Sequence, residues 1–261
     1  MQKMVDEIRN KKGFICDMDG VIYHGNKLLP GVKEFLEWLA KEKKPFLFLT
    51  NSSERTPMEL REKLIRLGVE VDEKVFYTSA LATASFVASQ KPNGSAYIIG
   101  EAGLINALYN VGYTINNIDP DYVIVGDTHS YSFDKIQAAV NHVLKGAKLI
   151  GTNPDTTGPI EDGIMPATKA LISPIEIATG KKAYFIGKPN PLMMRIALRK
   201  IGCSVEETVI IGDRMDTDII AGIESEIDTC LVLSGITSRD MINKYPYTPD
   251  FVLNGVCDIV K

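Results

Sequence analysis

Apolar runs of four to six residues alternate along the chain with stretches whose apolar positions recur at three- and four-residue spacing, the periods of strand and helix. GFICD at 13–17 reads as a short buried strand ending on a carboxylate. Across 31–43, Val32, Phe35, Leu36 and Leu39 share one helical face, and PFLFLT at 45–50 is the next strand. Thr56-Pro57-Met58-Glu59 combines an N-cap, a proline at the first helical position and a capping-box glutamate. Leu60 and Leu64 continue that helix, and Gly68 can end it.

The alternation persists. VFYTS at 75–79 leads into a helix near 80–90, SAYIIG into a helix through Leu108, and DYVIVG at 121–126 into a helix over 133–144. KLIGTN at 148–153 is a strand, 154–166 is rich in glycine, proline and acids, and 167–179 is helical. A second series starts at 183: AYFIG, then a helix opened by Asn190-Pro191 and carrying Met194, Ala197, Leu198 and Ile201. TVIIGD at 208–213 is a strand ending on Asp213, followed by a helix through Ile219, Ile220 and Ile223. TCLVLSG supplies a strand and turn, and the tail one helix and a short strand-helix pair.

Repeated strand–helix units predict an α/β fold with a mostly parallel sheet covered on both faces. Right-handed crossovers gather the strand C-termini on one edge, where ligands bind in open α/β sheets. Asp17, Thr50 and Asp213 each end a strand, so their distance in sequence is no obstacle to one site.

Composition narrows the picture. The chain has 261 residues, 45% hydrophobic and 24% charged, as an ordinary globular protein does. A net charge of −4 argues against binding nucleic-acid polymers, which calls for a basic surface. The start, MQKMVDEIRNKKG, lacks a signal-peptide core, and the apolar runs are too short to span a membrane, so a cytoplasmic protein is expected. Cys16, Cys203, Cys230 and Cys257 form no CxxC pair and read as reduced thiols. His24, His129 and His142 form no HExxH; His142 reads as structural, and His24 lies close enough to the first acidic motif to be weighed for substrate contact.

The chemistry concentrates in four strings. Asp17-Met18-Asp19-Gly20 resembles the start of a calcium loop, but Val21 takes the next ligand position and no EF-hand series follows. An acidic turn is the plain alternative. As a reactive pair, Asp17 could attack phosphorus and Asp19 could protonate the leaving alcohol and then activate water. Two such carboxylates repel by about 4 kcal/mol at ~4 Å and an effective dielectric near 20, which a divalent cation and a lysine would offset. Oxygen donors favour Mg²⁺ over zinc. Thr50, opening Thr50-Asn51-Ser52-Ser53, could donate to a phosphoryl oxygen or simply cap the strand end. Lys188, in Gly187-Lys188-Pro189-Asn190-Pro191, could restrain Asp17 and stabilise phosphoryl charge, or lie solvated beside a turn. In Gly212-Asp213-Arg214-Met215-Asp216-Thr217-Asp218, Asp213 is the metal-ligand candidate, Asp218 a support, and Asp216 a solvent-facing or capping residue.

Together these strings resemble the haloacid-dehalogenase superfamily, in its N-acetylglucosamine-operon phosphatase and p-nitrophenyl-phosphatase branch. CDMDGVIYHG at 16–25, TNSS at 50–53, GKPNP at 187–191 and GDRMDTDI at 212–219 match its four motifs in order. The resemblance implies a Rossmann-like three-layer core, residues 1–80 and 181–261, with an α/β cap inserted over 81–180. It implies Asp17 as nucleophile, Asp19 as general acid/base, and Thr50, Asn51 and Lys188 as phosphate-binding groups. Mg²⁺ would sit on Asp17, the Asp19 carbonyl and Asp213, with Asp218 supporting. GTNPDTTGPIEDG at 151–163 also resembles this branch: Asn153 and Asp155 would orient the leaving group or, more in keeping with their sequence setting, organise a turn. Substrates would be small phosphorylated metabolites, and a cap-mediated homodimer is implied at family level.

Two other readings share parts of this pattern. A phosphomutase would use the same acids but return the phosphoryl group to a second acceptor, and a nonenzymatic module would keep an anion site without turnover. Neither a GxGxxG after the first strand nor a GxxxxGK[ST] loop is present, which argues against nicotinamide and P-loop chemistry.

Overall fold

The computed structural model describes residues 2–160 and 162–261. The chain divides into two compact units. The first comprises the chain up to Thr50, Arg61–Tyr77 and Lys188–Lys261; the second comprises Asn51–Leu60 and Thr78–Gly187. The passages between them thus fall at 50/51, 60/61, 77/78 and 187/188. Residues 51–60 belong with the second unit, although their sequence neighbours on both sides belong to the first.

In the first unit the strand Gly13–Cys16 lies at the centre of a sheet, between Thr208–Gly212 and Phe46–Thr50, and pairs parallel with both. Asp228–Val232 and then Phe251–Leu253 extend the sheet beyond Thr208–Gly212, also in parallel. Gly13–Cys16 and Thr208–Gly212 are buried along their whole length, which explains why they read as unbroken apolar runs rather than alternating ones. The helix Val32–Lys41 packs Phe35 against the sheet, with Phe14 and Trp38 ring centroids 5.5 Å apart edge to face. An N-terminal helix, Gln2–Asn10, was not legible as such: just Val5 and Ile8 are buried on it, too few for a clear period. A two-residue hairpin, Tyr23–His24 with Lys27–Leu28, leaves His24 exposed.

The register defines the site-bearing edge of this unit. Cys16 pairs with Ile211 on one side and Phe48 on the other. Asp17, Asp213 and Thr50 therefore leave the sheet at the same C-terminal edge, one or two residues past those pairs.

The second unit holds a parallel sheet in the order Tyr184–Phe185, Lys148–Gly151, Tyr122–Val125, Ser95–Ile99, Thr114–Ile115. Helices Ser79–Gln90, Ala102–Asn110, Phe133–Lys145 and Thr168–Thr179 belong to it. Val123 and Val125 pack with Ala139 and Val143 of one helix and Ile172 and Ile175 of another. His142 is buried, with its ring 5.1 Å from that of Tyr97. The glycine- and proline-rich passage contains an antiparallel hairpin, Thr157–Ile160 with Gly163–Pro166. Its strands are largely exposed on both faces, so no alternation marked them. The capping box holds as read: the Glu59 carboxylate accepts from Thr56 N at 2.8 Å, and Glu59 N donates to Thr56 Oγ1 at 3.2 Å.

The protein is thus a mostly parallel, three-layer α/β fold, as expected from the strand–helix alternation. No helix among the described residues is long and apolar enough to cross a membrane.

Candidate active site

Four of the predicted residues meet within the first unit. Lys188 is 2% exposed. Its Nζ donates to Asp17 Oδ1 at 2.6 Å, to Asp218 Oδ1 at 2.6 Å and to the Leu49 carbonyl at 3.1 Å. An ammonium carries three donors, and here all three find acceptors. Burial opposes the Lys188 charge, but Asp17 and Asp218 outweigh it and hold its pKa above the ordinary lysine value.

Asp218 reaches the lysine through an irregular helix start. Ile219 N–H donates to the Arg214 carbonyl five residues back, at 3.1 Å, so Met215–Ile219 forms a wide π-type turn. The same turn aims Asp218 Oδ2 at Arg214 N, 3.1 Å away. A Cβ on Gly212 would lie 2.2 Å from the Asp218 Cβ, so the close approach of this carboxylate to the strand end requires glycine there. Asp216 points elsewhere. The Arg214 guanidinium grips its two oxygens at 3.0 and 2.9 Å, consistent with a surface role.

Asp213 is held from two sides. Its Oδ2 accepts from Ile236 N at 2.7 Å, and its carbonyl accepts from Thr237 N at 3.2 Å. Cβ atoms on Gly20 and Gly235 would stand 2.4 and 2.0 Å from the same Oδ2. Ser234 Oγ in turn donates to the Gly20 carbonyl at 2.6 Å. Gly20 itself has φ +76°, a conformation glycine adopts without strain. The turn after Asp228–Val232 therefore ties Asp213 to the loop that carries Asp17 and Asp19. Sequence reasoning passed over it; the visible signal was a Ser-Gly pair closing a further buried strand at the same edge.

Carboxylate oxygens of Asp17, Asp213 and Asp218 lie within 4.8 Å of one another. Burial, with the Asp218 charge added to it, pushes the Asp213 carboxyl up to about 7. Three acids around one ammonium make a site with excess negative charge and hard oxygen donors, which fits a divalent cation of the magnesium class. Asp19 is exposed, on a loop closed by Gly20 N donating to the Tyr23 carbonyl at 2.8 Å, and its carboxylate is not one of the three. Thr50 is buried at the end of Phe46–Thr50.

The remaining predicted residues come together in the second unit. Asn51 Nδ2 donates to Asp155 Oδ2 at 3.0 Å, and Asn153 Nδ2 donates to the Asn51 carbonyl at 2.8 Å. Asp155 N closes back on Asn153 Oδ1 at 3.1 Å, the short-range turn expected of an Asn two residues upstream. Asn153 is 1% exposed, so its amide serves this network.

The clamp on Asp213 makes a direct prediction. Gly235→Ala is expected to lower kcat/KM by roughly 100-fold, the scale set by displacing a reactive-site group by about 1 Å. Steady-state kinetics beside a thermal melt will show it. Wild-type turnover in this variant would mean that the placement of Asp213 is not required.

Comparison with known proteins agrees with the fold. Residues 14–114 match the haloacid dehalogenase-like hydrolase family model, and residues 185–259 match a second model of that hydrolase type. The chain is 44% identical over 246 residues to the dihydroxyacetone phosphatase of Corynebacterium glutamicum, covering 94% of this chain and 90% of that protein. It is 44% identical over 248 residues to the ribonucleotide monophosphatase NagD of Escherichia coli K12, covering 95% and 98%. Among solved structures, a 4-nitrophenylphosphatase from Thermotoga maritima superposes with a TM-score of 0.93 at 31% identity, with 98% of each chain covered. NagD from E. coli gives a TM-score of 0.90 at 43% identity over 95% of this chain and 98% of that one.

Fold and relatives together define a phosphoric monoester hydrolase of α/β architecture. The chain belongs to the haloacid-dehalogenase-like hydrolase family, as its four motifs implied.

Proposed function

We propose that this enzyme hydrolyses small phosphate monoesters with magnesium, through a phosphorylated Asp17. The observation that carries the reading is the Asp17 carboxylate, gripped by a buried lysine and set within ligand distance of two further acids.

Asp17 attacks phosphorus with one carboxylate oxygen, and the bond from phosphorus to the leaving oxygen breaks. Asp19 gives its proton to that oxygen, so an alcohol departs. Asp19, now ionised, takes a proton from water, and the resulting hydroxide oxygen bonds to phosphorus as the acyl-phosphate bond to Asp17 breaks. Inorganic phosphate leaves, and both acids return to their starting states. Lys188 keeps Asp17 oriented and balances charge on the transferring group, with Thr50 and Asn51 donating to its oxygens. Asp17, Asp213 and the Asp19 carbonyl would hold the cation, supported by Asp218; bound there, Mg²⁺ neutralises phosphoryl charge.

The second unit is read as the cap inserted into this core. Asp155, half-buried, is the better candidate than Asn153 to meet the leaving group, because Asn153 is enclosed. The substrate class follows from the relatives. They include a dihydroxyacetone phosphatase, a ribonucleotide monophosphatase and acid sugar phosphatases, all named for small phosphorylated metabolites or their class. Four cysteines without disulfides fit a reducing, cytoplasmic setting.

Phosphate release from aryl, sugar, nucleotide, glycolate and pyridoxal phosphates, measured with Mg²⁺ and with EDTA, tests the reading. Release is expected with Mg²⁺ and a loss of at least about 100-fold with EDTA, the order of a several-kcal/mol charge-stabilising contribution. Undiminished turnover in EDTA would sink the metal assignment. An isomeric phosphate ester as the sole product would establish a mutase instead.

A further inference from the structure

Asp127 follows the strand Tyr122–Val125 of the second unit and is 9% exposed. Its two oxygens collect five donors. Oδ2 accepts from Ser53 N and Ser53 Oγ, both at 3.3 Å, and from Asn153 Nδ2 at 3.0 Å. Oδ1 accepts from Thr168 N at 3.1 Å and Thr168 Oγ1 at 2.8 Å, at the start of the helix Thr168–Thr179. That helix lacks a cap from its own flanking residue, Ala167, and Asp127 supplies one from a distant strand. Asp127 N meanwhile donates to Ser53 Oγ at 2.9 Å.

This arrangement requires a carboxylate. Each oxygen faces at least one N–H, which can only donate, so an amide in its place would turn an NH₂ group against a fixed donor. The consequence reaches Asn51 by a short chain of bonds. With Asn153 Nδ2 committed to Asp127 and to the Asn51 carbonyl, Asn153 Oδ1 must face Asp155 N. That contact sets Asp155, whose Oδ2 receives the Asn51 amide. Ser53, two residues beyond Asn51, is pinned by the same carboxylate. The backbone from 51 to 53 is therefore fixed at both ends by groups that Asp127 orients.

We propose that Asp127 is a positioning residue for Asn51, setting the direction of its side-chain amide through Asn153 and Asp155. The proposal rests on the reading of Asn51 as a donor to phosphoryl oxygens. It assigns Asp127 an effect on turnover that travels through Asn51 and through no contact of its own with the reacting atoms.

A double-mutant cycle on the full-length enzyme tests it. Asp127→Asn is expected to lower kcat/KM for p-nitrophenyl phosphate by roughly 10- to 100-fold, within the range that misplacing a substrate-orienting group produces. Asn51→Ala is expected to lose a similar amount, and the double variant no more than Asn51→Ala alone. Multiplying losses would overturn the proposal, since a merely structural Asp127 would act independently of the Asn51 side chain. Wild-type kinetics for Asn51→Ala would sink the underlying reading of Asn51 and the proposal with it; a costly Asn51→Ala with multiplying losses would sink the proposal alone. If Asp127→Asn does not fold, Ser53→Ala takes its place in the same cycle, because it removes one donor to Oδ2 and keeps the carboxylate. The same criterion then decides.

Discussion

Asp17→Asn is expected to lower kcat by roughly 10⁴- to 10⁶-fold, the loss that follows removal of a covalent nucleophile. The variant keeps the shape of the side chain, and its carbonyl oxygen can still accept from Lys188 Nζ. Lys188 also retains Asp218 at 2.6 Å and the Leu49 carbonyl at 3.1 Å. The fold should therefore survive while the chemistry fails, because an amide cannot form an acyl phosphate. Single-turnover kinetics and intact-mass measurement separate these effects: the wild type should show a transient phosphate adduct, and the variant none. Turnover above a tenth of wild type, roughly 1.4 kcal/mol of lost stabilisation or less, would reject Asp17 as nucleophile.

Lys188→Met is the second large effect, and it reaches stability as well as rate. The lysine is almost wholly enclosed and neutralises two acids at once, with Asp218 0% exposed and Asp17 12% exposed. Removing one partner of a buried ion pair costs about 3–5 kcal/mol, because the charge left behind keeps its desolvation penalty. For a protein of this size, each kcal/mol moves Tm by roughly 2–4 °C. A drop of about 6–20 °C is therefore expected by calorimetry. Three carboxylates would then share the cluster without their ammonium, so added Mg²⁺ should raise the Tm of the variant more than that of the wild type. An unchanged Tm would show that Lys188 does not balance these acids.

Much of this site could be read before the fold was known. GFICD, PFLFLT and TVIIGD each pair an apolar run with a polar terminus, and parallel pairing puts such termini on one edge. Lys188 was found from the need for a positive charge near Asp17. Asp218 was found as a support for Asp213; its bond to Lys188 depends on the π-type turn at 215–219, which spacing alone does not announce. The Ser234–Thr237 turn was missed because a Ser-Gly pair after a strand is ordinary turn chemistry. Its importance lies in a distance of 2.0 Å between an absent Cβ and Asp213. Asp127 was missed for a related reason. A lone acid after YVIV carries no signature, and its five donors come from residues 53, 153 and 168.

The sequence by itself determined the α/β alternation, the family and the four strings that carry the acids, the lysine and the threonine. Those features are local: a run of apolar residues fixes a buried strand, and the residue types at its end fix what chemistry is available there. Tertiary structure decided which of these groups touch. It gave Lys188 two carboxylates rather than one, closed two glycines over Asp213, and assigned Asn51 to a hydrogen-bonded ring with Asn153 and Asp155. The longest-range of these hydrogen bonds, Lys188 with Asp17 and Asn51 with Asp155, join residues 171 and 104 positions apart, and a hydrogen bond or a close approach depends on distance and direction, which chain order does not encode.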